Sequence, residues 1–448
     1  MKANRFLTII LTIILLLMLC AAVNSEGYIP KGEGTIENPY LIYTLEDLKR
    51  IGNDDEWTLD KHYKMMNDII LEKPKEGENN WSPIGFHSAF TGTFDGNGKV
   101  ISGMVIQKDD SQIIGLFSKI SGKNARVEKL GITDVIINID SKSSNVIIGA
   151  LTAFVRDSAT IKDCYSTGSI SGGNITGGLI GMFVNGIIER CYSNANVQDS
   201  MSDGDNSTGG LIGYFFNGPT PANPTNGPIN PTLTRCYTTG NVYGSGMAGG
   251  LVGTCNSGWI KDCYTTGHIR GHVDVGGITG YSFENDDSII ENCYTTGSLT
   301  GEEAPRSSRD RLHGIVCGIT SSCYLDITNC AILSQHMKSS WLSYISLVGK
   351  YYADTDYADT DYMNYIKSNY VLDSINIKTP SDELCEDYNE EGIVLKSKEE
   401  LTTQATYEEL GWDFTGPDAV WEFSGDYKLP KLVGVGGQDE LITPEHLQ

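Results

Sequence analysis

The sequence predicts an all-β solenoid, a stack of short parallel strands in which each unit is buried by its neighbours. Three observations point there. The phrase Gly-Gly-Leu-Ile-Gly at residues 177–181 returns with small changes at 209–213, 249–253 and 276–280. A second phrase, Ile-x-x-Cys-Tyr-x-x-Gly-x-Ile, surrounds Cys164, Cys191, Cys236, Cys263, Cys293 and Cys323, and most of these Cys-Tyr pairs lie 27 to 30 residues apart. Between the phrases, short β-branched or apolar runs alternate with Gly, Asn, Asp and Ser, as in 159–164 and 258–263, and none carries a helical apolar face of ten residues.

The chain begins Met1-Lys2-Ala3-Asn4-Arg5 and continues with an apolar run from Phe6 to Val23. A basic start, an apolar run and the small residues Val23 and Ser25 read as a signal peptide over residues 1–25, with an uncleaved anchor as the rival reading. A lipidated Cys20 is set aside because Leu19 is too bulky before such a cysteine. Residues 26–145 are expected to hold an N-terminal cap and the first coils, with one short helix at 46–51. Residues 146–330 form the regular array, and one unit is stretched by the Pro-, Asn- and Gly-rich stretch 218–231, expected to leave the coil as a lateral loop. From 331 to 448 the period fades into irregular coils and a C-terminal cap, with a short helix within 399–409.

Each unit has room for about three short strands, one per side of a triangular coil. Ile161 and Cys164 both have core character, yet three residues apart in a straight strand they would face opposite sides. A bend at Asp163, and likewise at Asp262 and Asn292, reconciles the two, because Asp and Asn tolerate the left-handed conformation. Equivalent positions of stacked parallel strands lie about 4.8 Å apart. Cys164, Cys191, Cys236, Cys263, Cys293 and Cys323 therefore read as a buried ladder of thiols rather than as disulfides between coils. Cys-x-x-Cys spacing, which would favour a metal site, is absent, and no metal or cofactor is expected.

Taken together, Gly-Gly-Leu-Ile/Val-Gly followed by Cys-Tyr-x-Thr-Gly resembles the GLUG-motif repeat of exported bacterial and archaeal surface proteins. The same repeat occurs in the non-catalytic part of immunoglobulin A-specific metallopeptidases. Segments 38–48, 63–71 and 90–98 are similar to the N-terminal companion of such arrays, and 411–414, 421–423 and 427–432 to their closing segment. The resemblance implies a right-handed parallel β-helix with N-terminal and C-terminal caps. The metallopeptidases use a His-Glu-x-x-His zinc site, and none of the seven histidines here stands in such a string.

Parallel β-helices also carry polysaccharide lyases and glycosidases, whose chemistry needs carboxylates or cationic groups gathered on one outer face. The candidates are the pairs Asp109-Asp110 and Asp286-Asp287, and His268, Arg270, His272 and Asp274, which alternation places on the outer side of one strand. A solenoid needs a solvated outer face in any case, and no coil-to-coil pattern of acids stands out. Asp95-Gly96-Asn97-Gly98 reads as a hairpin turn rather than a calcium loop. The tandem Tyr-Ala-Asp-Thr-Asp repeat at 352–361 reads as a solvated loop. Asn80, Asn174 and Asn206 begin N-glycosylation patterns.

With 57 acidic against 33 basic residues, the net charge of −24 repels nucleic acid and anionic lipid. The expectation is a secreted or cell-surface, adhesin-like, non-enzymatic protein that binds an extracellular glycan or protein through lateral loops. Tyr214, Phe215 and Phe216, beside the 218–231 stretch, are its candidate anchors. The alternative is a carbohydrate-active enzyme on the same scaffold.

Overall fold

The computed structural model describes residues 31–107, 112–139, 145–200, 206–218, 231–282, 288–302, 315–321, 325–339, 345–348, 366–378, 392–423 and 429–438. Its strands form a 31-stranded and an 8-stranded sheet, in which every pairing is parallel, and one small antiparallel pair. The fold is a parallel β-helix. One coil runs through Met247–Gly249, Val252–Cys255, Trp259–Lys261, Tyr264–Thr265 and Ile269–Gly271 before Asp274–Gly276 begins the next. In-register partners recur coil after coil, as in Val197, Val242, Ile269, Leu299 and Met337.

Five short strands per coil replace the three expected, because two sides are folded by bends. One bend is the left-handed residue before each cysteine. Asp163, Arg190, Arg235, Asp262, Asn292 and Asn329 all have φ between 53 and 56°. It turns the chain so that Ile161 and Cys164, or Ile260 and Cys263, both reach the core fully buried. The second bend is the small residue after Cys-Tyr. A Cβ on Gly267 would stand 2.0 Å from the Gly240 carbonyl oxygen, so the backbones approach too closely for a side chain.

The glycine phrase has the same origin. A Cβ on Gly250 would meet the Gly277 carbonyl oxygen at 2.2 Å, and the hydroxyl of Thr238, two residues after Cys236, donates to the Gly250 carbonyl at 2.7 Å. Ser166 makes the same bond to Gly178 (2.8 Å) and Thr265 to Gly277 (2.9 Å). Thus the hydroxyl that follows Cys-Tyr ties one wall of each of these coils to the Gly-Gly of the opposite wall.

Cys164, Cys191, Cys236, Cys263 and Cys293 form a fully buried inner column. Backbone N–H groups of Cys164, Cys191 and Cys236 donate to the sulfur one coil on, at 3.3–3.5 Å. Outside the same strands, Tyr165, Tyr192, Tyr237, Tyr264 and Tyr294 stack with ring centroids 4.7–4.8 Å apart and planes within 8°.

At the N-terminus, the helix Leu45–Arg50 is capped by Thr44 and Asp47, each bonding the other's backbone. At the other end the coils keep register through Ile393–Lys396, past the point where the sequence period fades. Two short helices follow, Lys398–Leu401 and Gln404–Glu409, and then a strap that returns along the tyrosine flank. The Trp412 indole N–H donates to the Asn329 carbonyl (2.8 Å). The hydroxyls of Tyr294, Tyr264 and Tyr237 donate in turn to the Pro430 carbonyl (2.8 Å), the Gln438 side-chain oxygen (3.0 Å) and the Gly436 carbonyl (2.7 Å). Trp412, Trp421, Leu429, Leu432 and Tyr407 pack with the tyrosine rings into one buried cluster.

Candidate functional site

The three aromatic candidates separate by the alternation of the strand Ile212–Phe216. Phe215 points inward, fully buried, and stacks on Phe183 at 5.5 Å. It is a core residue and leaves the set of anchors. Tyr214 and Phe216 point outward, half-buried, with rings at 5.3 Å edge to face. Burial pushes the Tyr214 phenol up, partly offset by a hydrogen bond with Asn256. Residues 219–230 of the stretched unit lie outside the described residues.

Around the corner that follows, the next outer strip carries Trp259. Its in-register neighbours are Ile187 and Thr232 in the preceding coils and Ile289 in the next. Trp259 is 39% and Ile187 42% exposed. A polar column runs beside this ridge: Lys162 pairs with Glu189 at 2.8 Å and Lys261 with Glu291 at 2.6 Å, each across one coil boundary, and the Lys261 ammonium lies 5.7 Å from the Trp259 ring centroid. The sequence reading missed Trp259. Its signal was a large aromatic directly before the inward isoleucine of the Ile-x-x-Cys phrase, a position the alternation sends outward.

The cluster His268, Arg270, His272 and Asp274 does not share one outer face. His268 and Arg270 are exposed, whereas His272 and Asp274 are buried, because the chain turns after Gly271. His268 Nδ1 accepts from the backbone N–H of Ser298 at 3.3 Å and lies 2.7 Å from its hydroxyl. In earlier coils Asn196 and Asn241 use their side-chain oxygens in the same way, toward the backbone of Asn241 and His268, so His268 is one rung of a structural ladder. Glu302 gathers the polar groups nearby. It binds the Arg270 Nε at 2.7 Å and the Tyr243 hydroxyl at 3.2 Å, and the His272 Nε2 lies 3.7 Å from it. Hydrogen bonding to Glu302 raises the Arg270 guanidinium, and burial followed by the Glu302 charge raises the Tyr243 phenol. A phenol raised in this way stays protonated at neutral pH, so still less of the phenolate is present to act as a base.

Cys323 lies outside the described residues. The next rung after Cys293 belongs instead to Cys330, whose neighbour Ala331 pairs with Tyr294. Cys330 follows Cys293 by more residues than the simple period, so this rung falls later in the sequence than the repeat spacing alone would put it. Asn369 follows, its side-chain oxygen accepting from the Cys330 N–H at 2.9 Å. The eight described cysteines are all buried, and Cys164, Cys191, Cys236, Cys255, Cys263, Cys293 and Cys330 carry free thiols. Burial raises the thiols of Cys164, Cys236, Cys263 and Cys330, and pushes Cys255 up to about 12. Among the described residues, no group of three or more His, Cys, Asp and Glu could hold a metal ion.

Asp95-Gly96-Asn97-Gly98 is no hairpin. It is a bulged corner within Thr93–Ser102, with Asn97 at φ 54° and Gly98 at φ 71°, and both flanks pair in parallel with the following coil. Asp109-Asp110, Asp286-Asp287 and the 352–361 repeat lie outside the described residues. The three glycosylation asparagines are engaged in the fold. Asn80 bonds the Glu72 and Gly103 carbonyls and the Val105 N–H, Asn174 the N–H groups of Asn145 and Val146, and Asn206 the Ser245 hydroxyl. Asn80 also lines an open hollow of about 560 Å³ with Lys49, Asn53, Trp81 and Ser82, but its amide is held by these backbone bonds.

No family model matches the chain. It is 35% identical over 155 residues, 34% of its length, to halomucin of Haloquadratum walsbyi. It is 34% identical over 160 residues to a provisionally named Gly-rich membrane protein of Evansella cellulosilytica. The matched stretch spans 2% of halomucin and 18% of the second protein. Two solved chains are similar at low identity. One is provisionally assigned as an immunoglobulin A1 protease of Bacteroides ovatus, at 18% identity and a TM-score of 0.40, covering 90% of this chain and 94% of that one. The other is an IgA1 protease, at 14% identity and a TM-score of 0.35, covering 74% of this chain and 21% of that one. Neither likeness is close enough to place a residue.

Proposed function

We propose that this chain is an exported, surface-associated β-helix that binds an extracellular ligand and performs no chemistry of its own. One observation carries the reading. The recurring residues are consumed by the fold: the glycines by close backbone contact, the cysteines by the inner column, the Ser and Thr hydroxyls by the Gly-Gly carbonyls, and the tyrosines by the strap. What varies from coil to coil lies outside, on the strips of Tyr214, Phe216 and Trp259, as expected of a scaffold that displays side chains. The names of the two curated relatives and the apolar N-terminal run support placement at the cell surface.

A panel of immobilised glycans and extracellular proteins, read with the purified full chain and accompanied by a hydrolysis and elimination screen, tests this. Binding without turnover is expected. Release of reducing ends or unsaturated sugars, abolished by Tyr243→Phe or His272→Ala, would replace the reading with an enzyme at the Glu302 cluster.

A further inference from the structure

We propose that the Trp259 ridge is a binding track for an uncharged, extended polysaccharide laid along the stacking axis, with the Trp259 indole as its stacking platform. The proposal rests on the binding reading above and names the ligand class for it.

Three observations converge. First, Ile187, Thr232, Trp259 and Ile289 hold one register position in four successive coils, so the apolar surface is a line rather than a patch. Its repeat is the coil spacing of about 4.8 Å, close to the length of one hexose in an extended chain. Second, the parallel column of Glu189, Thr234, Lys261 and Glu291 sets polar groups beside that line at the same spacing, where the hydroxyls of a sugar ring stacked on the indole would fall. Third, the charges here cancel. In a chain of net charge −24, the two lysines beside the ridge are each neutralised by a glutamate one coil on. Such a strip offers a polyanion no cationic track, and a polycation no unpaired carboxylate at Glu189 or Glu291.

The tyrosine flank supplies a precedent within the molecule. There an outward aromatic column at the same spacing is covered by a turn-rich segment of the chain's own C-terminal region, folded back on itself through Gln438, whose groups take one hydrogen bond from each of three successive rungs.

The test is calorimetric titration of the full chain with cellohexaose, xylohexaose and mannohexaose, and with polygalacturonate as the anionic probe. At least one neutral oligosaccharide is expected to bind. Trp259→Ala should weaken it roughly tenfold or more, and Trp259→Tyr, which keeps a stacking ring, should restore part of the loss. The side chain is exposed, so the variant should fold, which circular dichroism confirms. Ile70→Ala, at an exposed side chain on an early coil and off the ridge, should bind as wild type. Unchanged affinity in Trp259→Ala, loss in Tyr214→Ala alone, a preference for polygalacturonate, or binding only to proteins of the panel would each overturn the ridge proposal while leaving the binding reading in place. Cleavage of the oligosaccharide would overturn the reading itself.

Discussion

Two flanks of the same coils carry outward aromatic rings, and they end differently. On one, Tyr192, Tyr237, Tyr264 and Tyr294 are buried beneath the C-terminal strap; on the other, Trp259 and Ile187 stay 39% and 42% exposed. The backbone geometry of the two flanks is alike, since both are in-register parallel strips. The difference therefore lies in what is available to cover them. The tyrosine flank is a structural interface with an internal partner, so its rings should matter for stability. Trp259 keeps 39% of its surface exposed, so its ring should matter for binding and little for folding.

That contrast can be broken in several ways. The largest effect is expected at the sealed flank. Trp421→Ala removes a buried indole between Tyr264, Tyr294 and Trp412, and should cost about 3–5 kcal/mol in urea unfolding. A cost near zero would mean that the strap is not docked in solution.

Next comes the half-buried Asp262, at the left-handed bend beneath Trp421. Burial raises its carboxyl from 3.8 to about 6, against the Asn292 amide that donates to it at 3.0 Å. The folded state thus holds this proton more tightly than the unfolded chain, so the contribution is full below pH 3.8 and lost as pH rises through about 6. The swing should be on the order of 1–2 kcal/mol. Asp262→Asn keeps a residue that tolerates the bend and should remove this part of the pH dependence while stabilising the protein at pH 8. An unaltered stability-versus-pH curve would show that the carboxyl is solvated and the strap loose above it.

Tyr264→Phe deletes one bond to the strap, to Gln438, and should cost about 1 kcal/mol in the same denaturation experiment. The smallest effect belongs to the open flank. Trp259→Ala should change stability by no more than about 0.5 kcal/mol. A loss as large as that of Trp421→Ala would mean that the ridge too is covered by its own chain.

The fold was legible in the sequence because a solenoid writes its contacts as repetition. The period and the thiol column follow from residue type and spacing, and Asp163, Asp262 and Asn292 bend as their types suggest, whereas Arg190 and Arg235 take the same left-handed bend without that tolerance. What was not legible has physical reasons. Cys330 rather than a simple period sets the sixth rung, because register is fixed by strand pairing and coils tolerate insertions of different length. The division of Tyr214, Phe215 and Phe216 between outside and core depends on where strand alternation begins, which a glycine-bounded strand does not announce. His272 and Asp274 moved inside because a corner, invisible to alternation, intervenes after Gly271. The strap's path was hidden because its partners lie far off in sequence, with 199, 174 and 136 residues between the bonded groups.

Those separations bear on how the molecule assembles and comes apart. Each coil can add to its predecessor through nearest-neighbour contacts, so the array itself can grow and fray one unit at a time. The strap cannot dock on a single coil, because its acceptors are spread over the rungs of Tyr237, Tyr264 and Tyr294 and the coil of Asn329. Its closure therefore comes after those coils have stacked, and it fuses them into one cooperative block. Fraying from the C-terminal end must first undock that block, which places the barrier to unfolding there and makes the lifetime of the fold, more than its equilibrium free energy, the property the strap governs.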